Sequence, residues 1–289
     1  MAMSHVSFKP REHASIVLPL RSLRKLVRAA PQLTISPAIL VAILAAWWAA
    51  SHLLKVPSYI VPPPEQVWRA IVNGLVRLPW DAGGYWYHAA ITVWEALLGF
   101  VIGSVTGAVL GFALVHWPIL EKSAYPYVVG FQSLPKVALA PLMVVWFGFG
   151  LEGKVFITAV ITFFPVLVNT MAGYRSVEPE RIELARSCNA SQWQLICKII
   201  IPSCLPFLFA GLNVASVLAI LGAVVGELVG ARAGLGMLLT QYNQSMELGP
   251  EFAVILLLGV IGFAMNHLVK LAERRFCFWA HRNGHVAGA

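Results

Sequence analysis

Charge is what this sequence has least of. Asp, Glu, Lys and Arg make up 12% of its 289 residues, against about 25% in an average soluble domain. Aspartate occurs once, as Asp81. Charge is missing altogether from residues 29–54, 96–120, 155–174, 199–226 and 252–269, and the apolar region 123–151 is broken only by Lys136. A bilayer-crossing helix needs roughly 20 mostly apolar residues, so these gaps exclude one or two soluble domains of the same total length. Catalytic equipment is missing too. The eight histidines are scattered and no paired acids gather near them, which argues against a membrane enzyme. Cys188, Cys197, Cys204 and Cys277 form no C-x-x-C pair and no His-spaced cluster. They read as small buried or interfacial residues, and no metal site is expected. Gly148-Phe149-Gly150-Leu151-Glu152-Gly153-Lys154 fits G-x-G-x-x-G and the first seven positions of a P-loop, but Val155 follows where a magnesium-binding hydroxyl is needed. No strand is expected before it, so the run reads as a tight turn between spans, with Lys154 outside.

What is present is a set of six apolar runs. They predict an all-α integral membrane protein with six transmembrane helices near 37–54, 90–115, 125–148, 155–174, 204–229 and 252–271. With the N-terminus inside, fifteen Lys and Arg residues fall on inner segments and five on outer ones. Positive charge concentrates on the cytoplasmic side, so both termini are expected there. The domain reading is a basic tail over 1–36, a membrane domain over 37–279 and a second tail over 280–289. Residues 18–29 fit a basic helix on the anionic inner leaflet, or a solvated tail that only sets orientation. A cleaved signal peptide is not expected, because the first apolar run begins late and continues for a full span.

Within the outer segment 55–89, a proline run leads into a short amphipathic helix on which Trp68, Ile71, Val72, Leu75 and Val76 share a face. Trp80, Tyr85, Trp86 and Tyr87 then read as an interfacial aromatic belt. The second span carries Gly99, Gly103, Gly107 and Gly111 at every fourth position, and the fifth carries Gly222, Gly226 and Gly230. Such faces let helices pack closely. Pro135 and Pro141 interrupt the third span, which needs protein or water to satisfy the freed carbonyls. Lys136 between them, with Gln132 one turn earlier, marks either a polar path or a lysine snorkelling to a membrane face. Glu227 lies near the end of the fifth apolar run, as a functional acid or as an acceptor for backbone N–H groups. Gly234-Leu235-Gly236 and the polar QYNQSMELGPE at 241–251 read as an outer re-entrant turn and loop.

The longest polar insert, SVEPERIELARSCNASQWQLICKIIIP at 176–202, is too charged for hydrocarbon. It predicts two short helices at the inner face. Pro179 opens the first, Cys188-Asn189-Ala190 turns with Asn in the left-handed region, and Ser191 caps the second, which Pro202 ends. A helix-turn-helix held at a membrane face implies something that docks on it.

That insert resembles the cytoplasmic loop of ABC-importer permeases, whose pattern is E-A-A, three residues, G, nine residues, I-x-L-P. Here the spacing gives Glu183-Leu184-Ala185, Asn189 and Ile199-Ile200-Ile201-Pro202, with Leu184, Asn189 and Ile201 departing from the pattern. The VPPPEQV run, SLPKVALAPL with WFGFG, and GEL followed by AGLGMLL extend the resemblance over 38–279, to permeases of nitrate, sulfonate, taurine and small aromatic or pyrimidine precursors. The resemblance implies a cytoplasmic coupling helix-turn-helix between spans four and five, with Glu183, Ala185, Arg186, Asn189 and Pro202 meeting the ATPase. It implies two ATPase subunits that bind ATP and magnesium, a periplasmic solute-binding protein, a second permease chain as a homodimer, and no cofactor on this chain. The bacterial inner membrane is the expected location. Secondary transport is the rival. It would need several intramembrane acids and an inverted repeat; only Glu95 and Glu227 qualify and no clear repeat is seen.

Overall fold

Proline and glycine set most of the helix boundaries. The computed structural model describes residues 31–279 except 55 and 82, so the expected tail at 280–289 and the basic helix at 18–29 lie outside the described residues. Two units are distinguished, residues 1–56 and 57–289. The described part of the first is helix α1, Pro31–His52. It therefore begins inside the expected tail, and its apolar stretch Pro37–His52 is shorter than a full span.

The described residues of the second unit form helices joined by turns, with no strand among them. α2, Pro64–Val76, starts on a proline, whose missing N–H costs nothing in a first turn. α3 runs from Tyr85 to His116. α4, Pro118–Ser133, and a 3₁₀ turn at Lys136–Leu139 followed by α5, Ala140–Phe147, form a pair bent by 81°. The break falls at Leu134 and Pro135. Pro141 interrupts nothing, because it sits in the first turn of α5. After a turn at Gly148, with φ of 73°, come α6, Leu151–Arg175, and α7, Pro179–Ser187. α8 is continuous from Gln192 to Leu228. α9 is Leu235–Gln244 and α10 is Leu248–Phe276. Part of the stretch expected as an outer loop is thus helical. Four helices, α3, α6, α8 and α10, are long and apolar enough to cross a membrane, and the bent pair makes a fifth if it counts as one span.

α6 is the middle of this unit. A Cβ on Gly99 or Gly103 of α3 would collide with Thr158 or Thr162 of α6. A Cβ on Gly107 or Gly111 would come within 2.6 and 2.8 Å of the carbonyls of Phe163 and Leu167. On its other side Gly222 and Gly226 of α8 lie against Thr158 and Lys154, at 2.8 and 3.1 Å from a built Cβ to the Cα. Both neighbours therefore meet α6 backbone to backbone, the geometry small residues permit. Apolar clusters fill the rest. Ala96, Ala219, Ala223 and Met265 join α3, α8 and α10, while Ala140, Met143, Ile157 and Val225 join α5, α6 and α8.

In the outer segment, burial divides the apolar residues of α2. Val67 and Gly74 of α2 are buried, whereas Trp68, Val72 and Val76 are exposed, so the apolar residues divide between two sides of the helix. Tyr85 leaves the aromatic belt: it is buried against Gly74, where it has no room to face lipid.

Candidate functional site

The insert at 176–202 builds itself from local chemistry. Pro179 occupies the first turn of α7, and Glu178 pairs with Arg181 at 2.8 Å. α7 ends at Cys188, and Asn189 takes φ of 61°, the left-handed region that asparagine tolerates. The amide of Ala190 donates to the carbonyl of Ala185 at 3.0 Å and closes the turn. Ser191 and Gln194 then form a reciprocal cap: the Gln194 amide donates to Ser191 Oγ at 3.3 Å and the Ser191 amide to Gln194 Oε1 at 2.8 Å. Glu183, Arg186 and Asn189 are exposed, Ala185 half-buried, and Leu184 and Trp193 present large apolar surfaces to the outside. Val177, Ile200 and Cys204 pack beneath, with Phe112 and Tyr174 of the bundle.

Pro202 does not end the second helix. The chain widens into a π turn at Ile196–Ile200, in which the Ile201 amide reaches back to the Ile196 carbonyl, and then continues through Pro202 into α8. Proline removes one donor and crowds the preceding turn, and the wide turn absorbs both effects. The loop and the long span are thereby one continuous helix.

A second polar assembly lies at the opposite end of α6 and α8. Lys154 Nζ donates to Glu95 Oε1 at 2.6 Å, both groups buried. Thr92 Oγ1 donates to Glu227 Oε1 at 2.7 Å, and the Gly236 amide donates to Glu227 Oε2 at 2.5 Å. The Leu235 amide donates to Thr92 Oγ1 at 2.8 Å and the Gly234 amide to His88 Nδ1 at 3.0 Å. Gly234, at φ of 125°, presses so close to the Glu227 carboxylate that no side chain fits there. The start of α9 is thus tied to α3 and α8 through three successive backbone amides. Glu95 Oε2 is buried with no hydrogen-bond partner.

Lys154 is therefore not in an outer turn but inside the first turn of α6, because the turn is finished by Gly150. Glu227 accepts backbone and threonine donors, the second of its two readings. Lys136 is not brought to Glu227. It donates to the Gln132 carbonyl at 2.8 Å, its ammonium lies 4.9 Å from the Phe164 ring centre, and Gln132 is exposed. Thr92, His88 and the Glu95–Lys154 pair escaped the sequence reading. The usable signal was position: Glu95 and Lys154 immediately precede charge-free windows and Glu227 immediately follows one. With α3 and α6 parallel and α8 antiparallel to both, that places all three at one level.

These features define a class first: a multi-pass α-helical membrane protein whose central helix is gripped through glycine faces, with a capped helix-turn-helix at one end. Residues 96–277 match the family of binding-protein-dependent transport system inner membrane components, and the chain belongs to it. It is 36% identical over 247 residues to the riboflavin transport system permease protein RibX of Chloroflexus aurantiacus, covering 84% of this chain and 89% of that one. It is 32% identical over 234 residues to the formylaminopyrimidine transport permease protein ThiX of Halalkalibacterium halodurans, covering 80% and 91%. Among solved structures, an amino acid ABC transporter shares the fold with a TM-score of 0.54 at 18% identity, covering 73% of this chain and 96% of that one.

Proposed function

We propose that this chain is the permease subunit of an ATP-driven importer, with six spans, both termini in the cytoplasm and the translocation path formed with a second copy. The substrate class is a small solute of the kind its relatives are named for, a flavin, pyrimidine precursor or sulfonate. A periplasmic binding protein delivers it, and two partner ATPases hold the ATP and magnesium. The observation that carries the reading is the unbroken helix from the capped turn at Ser191 through α8 to Glu227. A push on the turn at Ala185–Asn189 passes through the hydrogen bond from Ala190 to Ala185 and the cap at Ser191 into a membrane span. ATP-driven closure of the partner subunits would tilt α8 and, through Gly222 and Gly226, α6. Glu183 and Arg186 would make the polar contacts of that docking surface, and Pro202, beside the π turn, would set where the helix bends. Secondary transport is less well supported, since Glu95 and Glu227 are engaged by protein groups rather than aimed into a water-filled path.

The test is Ala185→Arg, which puts a long charged side chain at the closing hydrogen bond of the turn. The expected result is normal insertion, loss of co-purifying ATPase and loss of uptake in vesicles. A variant that keeps its full complement of ATPase and transports normally overturns the coupling assignment.

A further inference from the structure

α2 has three sides, and only one of them is explained by packing. The inward side, Val67 and Gly74 with Ile71 and Leu75 half-buried, rests on the bundle. It is held at Tyr85, which lies under Gly74, and at Trp86, whose Nε1 donates to the Leu75 carbonyl at 2.9 Å. It is held again where Gly249 lies against Gln66, with a built Cβ 3.4 Å from the Gln66 side chain. All three holding residues stand in the first turn of a membrane-crossing helix, α3 or α10. α2 therefore lies across the ends of two membrane-crossing helices.

The second side is a row at i, i+4 and i+8: Trp68, Val72 and Val76, exposed by 66%, 38% and 77%. Residues so spaced stand one above another on a helix. The third side is the same row advanced by one residue, Arg69, Asn73 and Arg77, all exposed, with Arg77 turned back toward Gly83 and Gly84. An apolar row flanked by a polar, cationic row is the pattern of a helix lying in a membrane interface. Trp80, after α2, and Trp86, in the first turn of α3, are exposed as well. We propose that α2 is an interfacial anchor: Trp68, Val72 and Val76 enter the acyl boundary of the bilayer, and Arg69 and Arg77 meet the phosphates above it. The partner is the lipid surface. This does not depend on the transport reading.

The test uses the full chain, with Cys188, Cys197, Cys204 and Cys277 replaced, in phospholipid vesicles containing an anionic lipid. Spin labels are placed singly through Trp68→Cys, Val72→Cys, Val76→Cys, Arg69→Cys and Asn73→Cys. Collisions with lipid-soluble oxygen and with a water-soluble nickel chelate are then compared. Labels at 68, 72 and 76 should favour oxygen several-fold over labels at 69 and 73. If nickel reaches the apolar row as readily as the polar one, the row is open to water and the proposal fails. If neither reagent reaches it, protein covers the row, whether the chain's own first helix, a second copy or another subunit, and the proposal fails equally. Should Trp68→Cys not fold, quenching by brominated lipid decides in its place. Fluorescence lost from the parent chain should exceed that lost from Trp68→Phe, and equal losses overturn the proposal.

Discussion

Glu95, Lys154 and Glu227 bring two acids and one base into a place from which water is shut out. Removing one member of a buried ion pair leaves the other without compensation and typically costs about 3–5 kcal/mol. Lys154→Met should therefore lower the unfolding midpoint in detergent sharply. Lys154→Met combined with Glu95→Leu should recover much of the loss, because neighbouring effects are not additive. A double variant as unstable as the sum of the singles would show that the pair does not act as a unit. Gly103 is a second fixed point. Its Cβ would strike Thr162 and the Ala159 carbonyl, so Gly103→Ala should cost about 1–3 kcal/mol by overpacking, read in the same melts. The glycine spacing was legible because it repeats locally every fourth residue. The pairing of Glu95 with Lys154 was not, because it joins positions 59 apart and each charge alone looks like the end of an apolar window.

Within the insert at 176–202, the first helix and its turn were the most legible part, since every device there acts over three or four residues: the first-turn proline, the left-handed Asn189 and the cap at Ser191. A β-branched side chain pays for the left-handed region, roughly 1–2 kcal/mol. Asn189→Val should accelerate amide exchange at 188–191 and leave the spans unchanged, while Asn189→Gly should match the parent. Equal exchange in both variants would mean that the turn is held from elsewhere. The stop expected at Pro202 failed for a physical reason. A proline ends a helix only if the turn before it stays regular, and here the π turn at Ile196–Ile200 opens to admit it. The face of α2 was legible, but not which part of it is covered. Periodicity finds the apolar arc of a helix, but it cannot say which part of a wide arc meets protein.

For the molecule in its membrane, the described helices provide four spans and a bent pair, with the capped turn and the Glu227 assembly at opposite ends of α6 and α8. The charge asymmetry predicts which end is cytoplasmic, and the native thiols can report it. Cys188 and Cys197 are exposed near the turn, and Cys204 is buried. Cys277 is buried too, and burial beside Glu273 pushes its thiol up to about 11. An impermeant maleimide should label two cysteines in inside-out vesicles and none in intact cells, read by mass spectrometry. Labelling of Cys188 from outside intact cells would reverse the orientation. Four long helices and the bent pair were legible as charge gaps, although the described residues do not make up the expected six spans, and the 81° bend was legible only as a pair of prolines, one of which proved harmless. The siting of Glu95, Lys154 and Glu227 also bears on how the chain is made. Lys154 and Glu227 stand in end turns of α6 and α8, and Glu95 immediately precedes the charge-free stretch of α3, so each apolar run can leave the insertion machinery with its charge beside it rather than within it. Only when α3, α6 and α8 come together do the three charges lose contact with water. A helix left without its neighbours keeps a solvated charge beside its apolar run, and an incompletely assembled chain is thereby distinguishable from a finished one.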